Sequence, residues 1–206
     1  MTSCEHLRNR GGWTEDRALL RCTPPIGPRN TWSNAAYVLV GVAVALRLPG
    51  PASTVFAAAM VLLGVGSGLY HAYKTLWANR LDHGGIYMVT GSLSIHAIAP
   101  THSATPYLML LTGAGLATLF AYVIPRIDLD VQMGLLLFYS AVPSFLFGDV
   151  TMTVQAFGLF ALAFAAWHLD RRHSPLIGLW GHAVWHVLTA AAVGWMFLAR
   201  VPPVSP

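Results

Sequence analysis

The stretch GSGLYHAYKTLWANRLDH (residues 66–83) joins two apolar runs through a short polar link. The first run ends in Ser67 and His71, and the second run opens with Asp82. A link this short makes the two segments antiparallel neighbours, so these polar side chains fall at adjoining ends. Ionisable groups are costly inside a bilayer, and those found there are functional candidates by default. The stretch therefore predicts a helical hairpin that carries a polar site.

The composition of the whole chain is typical of a membrane protein. Of its 206 residues, 55% are hydrophobic and only 10% are charged, whereas an ordinary soluble domain has about 25% charged residues. A chain of this length cannot bury so much apolar surface in its own core, so we expect lipid to be its solvent. The basic residues lie at loop ends, which fits membrane topology and argues against a nucleic-acid partner. Cys4 and Cys22 form neither a disulfide framework nor a zinc-finger set.

Seven apolar segments follow one another along the chain, each close to the length of about 20 residues that a membrane span needs. They cover residues 32–48, 53–74, 82–99, 105–124, 130–147, 150–169 and 176–199. The predicted fold is therefore an all-α integral membrane protein, a seven-transmembrane helix bundle over residues 32–200. A cytoplasmic N-terminal segment (1–31) precedes the bundle, and a short C-terminal tail (201–206) follows it.

The distribution of Lys and Arg predicts the orientation of the bundle. With seven spans, 10 of the 12 basic residues fall on the side of the N-terminus, and only Arg47 and Arg200 fall on the other. We therefore expect a multi-pass protein with its N-terminus in the cytoplasm and its C-terminus outside. On this topology Ser67, His71 and Asp82 lie near the cytoplasmic face.

Two further histidines belong to the same end of the bundle. His182 and His186 lie in the first turns of the seventh predicted span, which begins on the same side as His71. Because they are four residues apart, both imidazoles project from one face of a helix, about 6 Å apart along its axis. Three histidines with an open fourth position are typical of a catalytic zinc site, and such a site makes hydroxide from water at neutral pH.

Asp82 and Ser67 can complete this chemistry. A carboxylate near the metal takes the proton of the attacking water and passes it to the leaving group, and Asp82 is expected in the first turn of a helix, where the ionised form is favoured. The Ser67 hydroxyl, one turn deeper than His71, can hydrogen-bond the oxyanion of a tetrahedral intermediate. Taken singly, each residue has an ordinary explanation, such as a serine that bonds its own backbone. Lys74 is expected to extend to the membrane surface.

Taken together, these motifs resemble a known superfamily. They are NTWSN (30–34), GSGLYH (66–71), RLD (80–82) and HAVWHVLT (182–189). The chain is similar to the CREST superfamily of seven-helix membrane hydrolases, which joins alkaline ceramidases, adiponectin and progestin receptors with bacterial hemolysin III proteins, and the hydrolases that remodel GPI anchors. The shared pattern is Ser-x3-His, an Asp eleven residues after that His, and a distant His-x3-His. The first and last motifs are most similar to alkaline ceramidases, and the middle stretch is also similar to hemolysin III proteins.

The resemblance to alkaline ceramidases implies a role for each site residue. It implies that His71, His182 and His186 bind zinc, that Asp82 orients the attacking water, and that Ser67 assists the intermediate. The implied activity is hydrolysis of the N-acyl bond of ceramide or a similar lipid amide, giving a free fatty acid and a long-chain amine. The lipid substrate would enter from the bilayer.

The same resemblance would imply a calcium site in the N-terminal segment. Alkaline ceramidases have a glutamate three residues before the Asn-Thr pair, and here Gly27 stands at that place. The sequence therefore argues against calcium, which would have to use Glu5, Glu15 or Asp16.

Three alternatives remain open from the sequence. A hydrolase of ester lipids would use the same zinc chemistry with a different leaving group. A heptahelical receptor or a pore-forming protein of the hemolysin III kind would bind zinc without turnover. A transporter would use the histidines and Asp82 to relay protons without a metal.

Overall fold

A computed structural model describes residues 24–99, 102–119, 129–171 and 180–199, apart from the side chains of 129–137 and 171. Every regular element in these ranges is a helix. They are α1 (Pro28–Ser33), α2 (Ala35–Arg47), α3 (Pro51–Tyr73), α4 (Leu76–Ile98), α5 (Thr105–Thr118), α6 (Leu129–Phe147), α7 (Val150–Arg171) and α8 (Gly181–Leu198). The prediction of an all-helical protein is confirmed for this part of the chain. The calcium candidates and the tail 201–206 lie outside the described residues.

Three of these helices are long and apolar enough to cross a membrane, judged by length and composition: α3, α7 and α8. Helices α2 and α5 have 13 and 14 residues, fewer than a bilayer span needs. Helix α4 has 23 residues, but its first two turns carry Asn79, Arg80 and Asp82, which lower its apolar content. The helices overlap the positions of the seven predicted spans.

The first predicted span consists of two helices rather than one. Helix α1 begins at Pro28, four residues before the predicted start, because proline at the first helical position needs no hydrogen-bond partner for its nitrogen. Helix α2 starts again after Asn34, whose side-chain amide donates a hydrogen bond of 2.6 Å to the Asn30 carbonyl. A count of apolar residues missed α1 because its sequence, PRNTWS, is mostly polar.

Helix α4 also begins earlier than predicted, at Leu76 instead of residue 82. Thr75 has an extended backbone before the first turn, and the residues that follow are good helix formers despite their polarity. Asp82 is therefore the seventh residue of α4, and the prediction that it lies in the first turn is wrong. The field of the helix N-terminus falls off within the first turn, so the environment of Asp82 comes from the neighbouring helices.

Helices α3 and α4 form a tight antiparallel hairpin. A Cβ atom added at Gly66 would lie 2.8 Å from the Leu81 carbonyl carbon and 2.9 Å from the Asp82 nitrogen. Small residues of this kind allow two membrane helices to pack with their backbones in contact. The absence of a side chain at Gly66 therefore brings Asp82 against the end of α3 that carries Ser67 and His71.

Helix α8 packs against α2 and α7 and also contacts α1 and α4. Deep in this packing, the Phe56 ring of α3 stacks on the Phe197 ring of α8, with centroids 4.3 Å apart. Both rings are fully buried, together with Met60 and Met196. This apolar core fixes α8 relative to α3, so the polar ends of the two helices meet at a defined distance.

Candidate metal centre

Helices α3 and α8 bring three imidazoles together. His71 lies in the last turn of α3, and His182 and His186 lie in the first two turns of α8. One nitrogen of each side chain lies within 4.8 Å of the others, and all three residues are buried. The ring centroids are 4.6 to 5.0 Å apart. The predicted convergence of the three histidines is confirmed.

The distances within this cluster fit a metal ion. The Nε2 atoms of His71 and His182 are 3.2 Å apart. Two nitrogens that each lie about 2.0–2.1 Å from one tetrahedral zinc ion are separated by roughly 3.3 Å. Within the described ranges the cluster consists of imidazoles alone, a donor set that suits zinc and other transition metals better than calcium or magnesium. The three side chains are therefore close enough to bind one metal ion.

The chain segment before α1 holds His71 in place. Helix α3 ends at Lys74, which has the left-handed conformation (φ 53°, ψ 35°) common at helix ends. The last carbonyl groups of a helix need partners from outside it. Here the His71 and Ala72 carbonyls accept hydrogen bonds from the backbone nitrogens of Gly27 and Ile26, each at 3.0 Å.

A serine of α1 orients His186. The Ser33 hydroxyl lies 2.7 Å from Nδ1 of His186 and donates its own proton to the Asn30 carbonyl at 3.1 Å. Because a hydroxyl has a single proton, a Ser33 that donates to Asn30 accepts from His186, and in this arrangement the imidazole carries its ring proton on Nδ1. The lone pair of His186 is therefore on Nε2. A partner of this kind on the second nitrogen is usual for metal-binding histidines.

The chain was also compared with known proteins. No family model matches it. A search of the curated proteins gives no match either. The resemblance to the CREST superfamily therefore stays a prediction that rests on the motif residues themselves.

Asp82 and Ser67 form a pair beside the imidazoles. The Ser67 hydroxyl lies within hydrogen-bonding reach of the Asp82 carboxylate, and Ser67 is buried on the same face of α3 as His71, one turn away. The carboxylate also lies within electrostatic reach of the Tyr37 hydroxyl and the Lys74 ammonium. All five residues singled out from the sequence are thus at one end of the bundle, three in the imidazole cluster and two in this pair.

Lys74 lies beside His71 at the end of α3, and its extension to the membrane surface stays a prediction. Its ammonium lies 3.2 Å from Nδ1 of His71 and 4.5 Å above the Tyr70 ring. The spacing from His71 is the available sequence signal, since residues three apart at a helix end are neighbours. Ser33 gave no such signal, because its partner is 153 residues away.

A cavity of about 80 Å³ lies near the cluster, and although none of the three histidines lines it, Tyr37, whose ring centroid is 6.1 Å from that of His186, does. Seven apolar side chains line it: Leu63, Ile86, Val89, Leu93, Phe160, Trp185 and Val193. Four hydroxyl side chains complete the lining: Tyr37, Thr90, Ser140 and Thr189. On α8 the lining runs from Trp185, next to His186, to Val193, which is roughly 12 Å along the helix axis. The cavity therefore runs from the residues that flank His186 on α8 into the apolar interior of the bundle.

Proposed function

We propose that the protein is a zinc-dependent intramembrane amidase that hydrolyses the N-acyl bond of ceramide or a similar lipid amide. The observation that supports this most is the cluster of three buried imidazoles, with a carboxylate on the adjacent helix and an apolar cavity that begins within one turn of His186 on α8. The imidazoles provide a metal site, the carboxylate provides a proton acceptor, and the cavity provides room for an acyl chain. The products are a free fatty acid and a long-chain amine.

The proposal includes seven membrane spans with the N-terminus in the cytoplasm. The helices overlap the seven apolar segments, and the basic residues are concentrated on one side of that topology. Large apolar side chains are exposed on several helices, including Leu46 at 78%, Leu111 at 70% and Phe138 at 69%. Exposed apolar surface of this extent needs a partner, and in this proposal the partner is lipid.

The first step is the binding of a metal by His71, His182 and His186. Zinc held in this way polarises a carbonyl group and makes a nucleophile from water at neutral pH. Ser33 keeps the His186 ring in the orientation and tautomer that binding needs, and the backbone of Ile26 and Gly27 keeps the end of α3 in place. These contacts reduce the reorganisation that metal binding requires.

Proton transfer is assigned to Asp82. Its carboxylate accepts the proton of the attacking water and then delivers it to the nitrogen of the leaving amine. The Ser67 hydroxyl donates to the carboxylate and so orients it. Ser67 lies one turn from His71 on the same face of α3.

The lipid is held by apolar contact. The acyl chain lies along Leu63, Ile86 and Val193, which keeps the amide at the polar end of the cavity. The cavity is smaller than a whole lipid chain, so the remainder of the chain extends between helices toward the bilayer. This arrangement fits lateral entry of the substrate and access of water from the cytoplasmic side.

Fatty-acid release from a panel of lipids tests this function. The purified protein in mild detergent is supplied with zinc and offered lipid amides and esters with matched acyl chains. We expect release from the amides, and no release with Asp82→Asn. Release from the esters alone would favour the esterase, and bound zinc without any turnover would favour the receptor or pore-forming protein.

A further inference from the structure

The cavity near the imidazoles is lined by hydroxyl groups. An unsubstituted acyl chain cannot form hydrogen bonds with them. Tyr37 and Thr189 meet at its polar end, with their oxygens 2.6 Å apart. Thr90 lines the cavity from α4. All three side chains are buried. A cavity that served only hydrocarbon would be expected to have apolar side chains at these positions, because buried polar groups need hydrogen-bond partners.

Each of these hydroxyls already donates its proton to an acceptor within the protein. The Thr189 hydroxyl donates to the Trp185 carbonyl at 2.7 Å, so in the contact with Tyr37 it accepts and the phenol donates. The Thr90 hydroxyl donates to the Ile86 carbonyl at 2.9 Å. What Tyr37 and Thr90 present to the cavity is therefore the lone pairs of their oxygens. Such oxygens favour a ligand that brings a hydrogen-bond donor.

The Tyr37–Thr189 pair lies close to His186, and therefore near the amide end of the proposed substrate. Thr189 follows His186 by three residues, roughly 4.5 Å along α8. The Tyr37 ring centroid lies 6.1 Å from that of His186. A group that bonds the Tyr37 oxygen would therefore sit on a carbon close to the amide carbonyl and far from the end of the chain.

We propose that the cavity selects acyl chains that carry a hydroxyl group near the carbonyl, on the α or β carbon. This inference rests on the proposed amidase function for its assignment of the acyl chain to the cavity. The hydroxyl of the substrate donates to the phenol oxygen of Tyr37, with Thr90 as a second acceptor on the opposite helix. A plain chain still fits, because the hydroxyl protons of Tyr37, Thr90 and Thr189 already have acceptors within the protein.

The expected size of the preference follows from the strength of one hydrogen bond. A net contribution of the usual size for a neutral pair corresponds to about a two- to tenfold gain. A keto group at the same position brings only an acceptor, so it should give no gain. A hydroxyl at the far end of the chain should give none either. These two lipids are matched controls for polarity and for position.

The test compares kcat/KM for lipid amides with plain, α-hydroxy, β-hydroxy, β-keto and terminal-hydroxy acyl chains. We expect the wild type to prefer one of the hydroxy chains near the carbonyl over the plain chain. In Tyr37→Phe the ratio of kcat/KM for the hydroxy chain to kcat/KM for the plain chain should fall toward unity. This expectation holds whatever the absolute rate of the variant. Thr118→Val removes an exposed hydroxyl that makes the same kind of bond, to the Ala114 carbonyl, and should leave the ratio as in the wild type.

Several results would overturn the inference while leaving the amidase intact. They are equal rates for hydroxy and plain chains, an equal gain with the keto chain, or a preference for hydroxyls on the amine half of the lipid. Binding of free fatty acids gives a readout that does not depend on turnover. A labelled plain fatty acid is displaced by unlabelled competitors. The midpoint concentration of an α- or β-hydroxy fatty acid should be about two- to tenfold lower than that of the unlabelled plain acid. Equal midpoints would contradict the inference even if no lipid were hydrolysed.

Discussion

The Ser33 hydroxyl and the His186 imidazole are 153 residues apart in the chain and 2.7 Å apart in the structure. This contact joins the short helix α1 to the first turns of α8. It occupies Nδ1 of His186 and so leaves Nε2 as the nitrogen that can bind a metal. The orientation of one proposed ligand therefore depends on a residue outside the cluster of three histidines.

Removing the Ser33 hydroxyl should weaken metal binding. Partners on the second nitrogen of a ligating histidine typically contribute about 10- to 100-fold to metal affinity, so we expect a loss of this size in Ser33→Ala. Ser33→Thr keeps a hydroxyl at the same place and should restore most of the affinity. Competition with a zinc chelator measures the change. Equal affinities for wild type and Ser33→Ala would show that the contact does not orient the ring.

Asp82→Asn should abolish turnover and keep the metal. The amide has the shape of the carboxylate but cannot accept the proton of water, and positioned acid–base groups contribute about 10²- to 10⁴-fold to rate. Fatty-acid release and zinc content are measured on the same sample. The control is Asp149→Asn, because Asp149 accepts from the Met152 nitrogen at 2.9 Å at the start of α7 and is remote from the cluster. Loss of zinc in Asp82→Asn would mean that Asp82 supports the metal site instead.

Ser67 acts through Asp82 in this account, so their effects should not add. Ser67→Ala alone should slow release by about tenfold, because the carboxylate loses a donor that orients it. In the Asp82→Asn background the same change should have little further effect, since residues that act as a unit are strongly non-additive. Additive losses in the double variant would favour a separate role for Ser67 at the oxyanion.

Lys74→Met should tighten zinc binding. The ammonium lies 3.2 Å from His71 and repels a divalent cation in the cluster, so its removal should raise affinity by about tenfold. Arg47→Met at the far end of α2 removes the same charge at a distance and should have no effect. Chelator competition at two salt concentrations measures both variants. Weaker binding in Lys74→Met would show that the lysine stabilises the site.

The close approach of α3 and α4 should be sensitive to a single methyl group. Gly66→Ala places a Cβ less than 3 Å from the Leu81 and Asp82 backbones. Overpacking of this kind typically costs about 1–3 kcal/mol, and the shift should separate Asp82 from Ser67 and reduce turnover. A Cβ added by the control variant Gly84→Ala, on the neighbouring helix α4, meets no atom within 4 Å, so this variant should raise the thermal unfolding temperature in detergent. A stable and fully active Gly66→Ala would contradict the proposed packing of the site.

The sequence predicted the helical fold and the cluster of histidines because both follow from the spacing of residues within a helix and the order of the apolar segments. His182 and His186 share a helix face through their four-residue separation, and a count of spans places that face next to His71. The start of α4 was missed because hydropathy does not register polar residues such as Asn79 and Arg80 that are nevertheless helical. Ser33 was missed because a single hydroxyl carries no periodic signal for a contact across 153 residues.

The most direct test of the account is the zinc content of the purified protein after chelation and reloading with a measured excess. Mass spectrometry of the metal should give about one zinc per chain in the wild type, as a three-histidine site requires. His186→Ala should lose the metal. His102→Ala, a histidine between α4 and α5 that bonds the Ala104 nitrogen, should keep it. A wild type without zinc, or equal zinc in the wild type and His186→Ala, would contradict the claim that these imidazoles form a metal site.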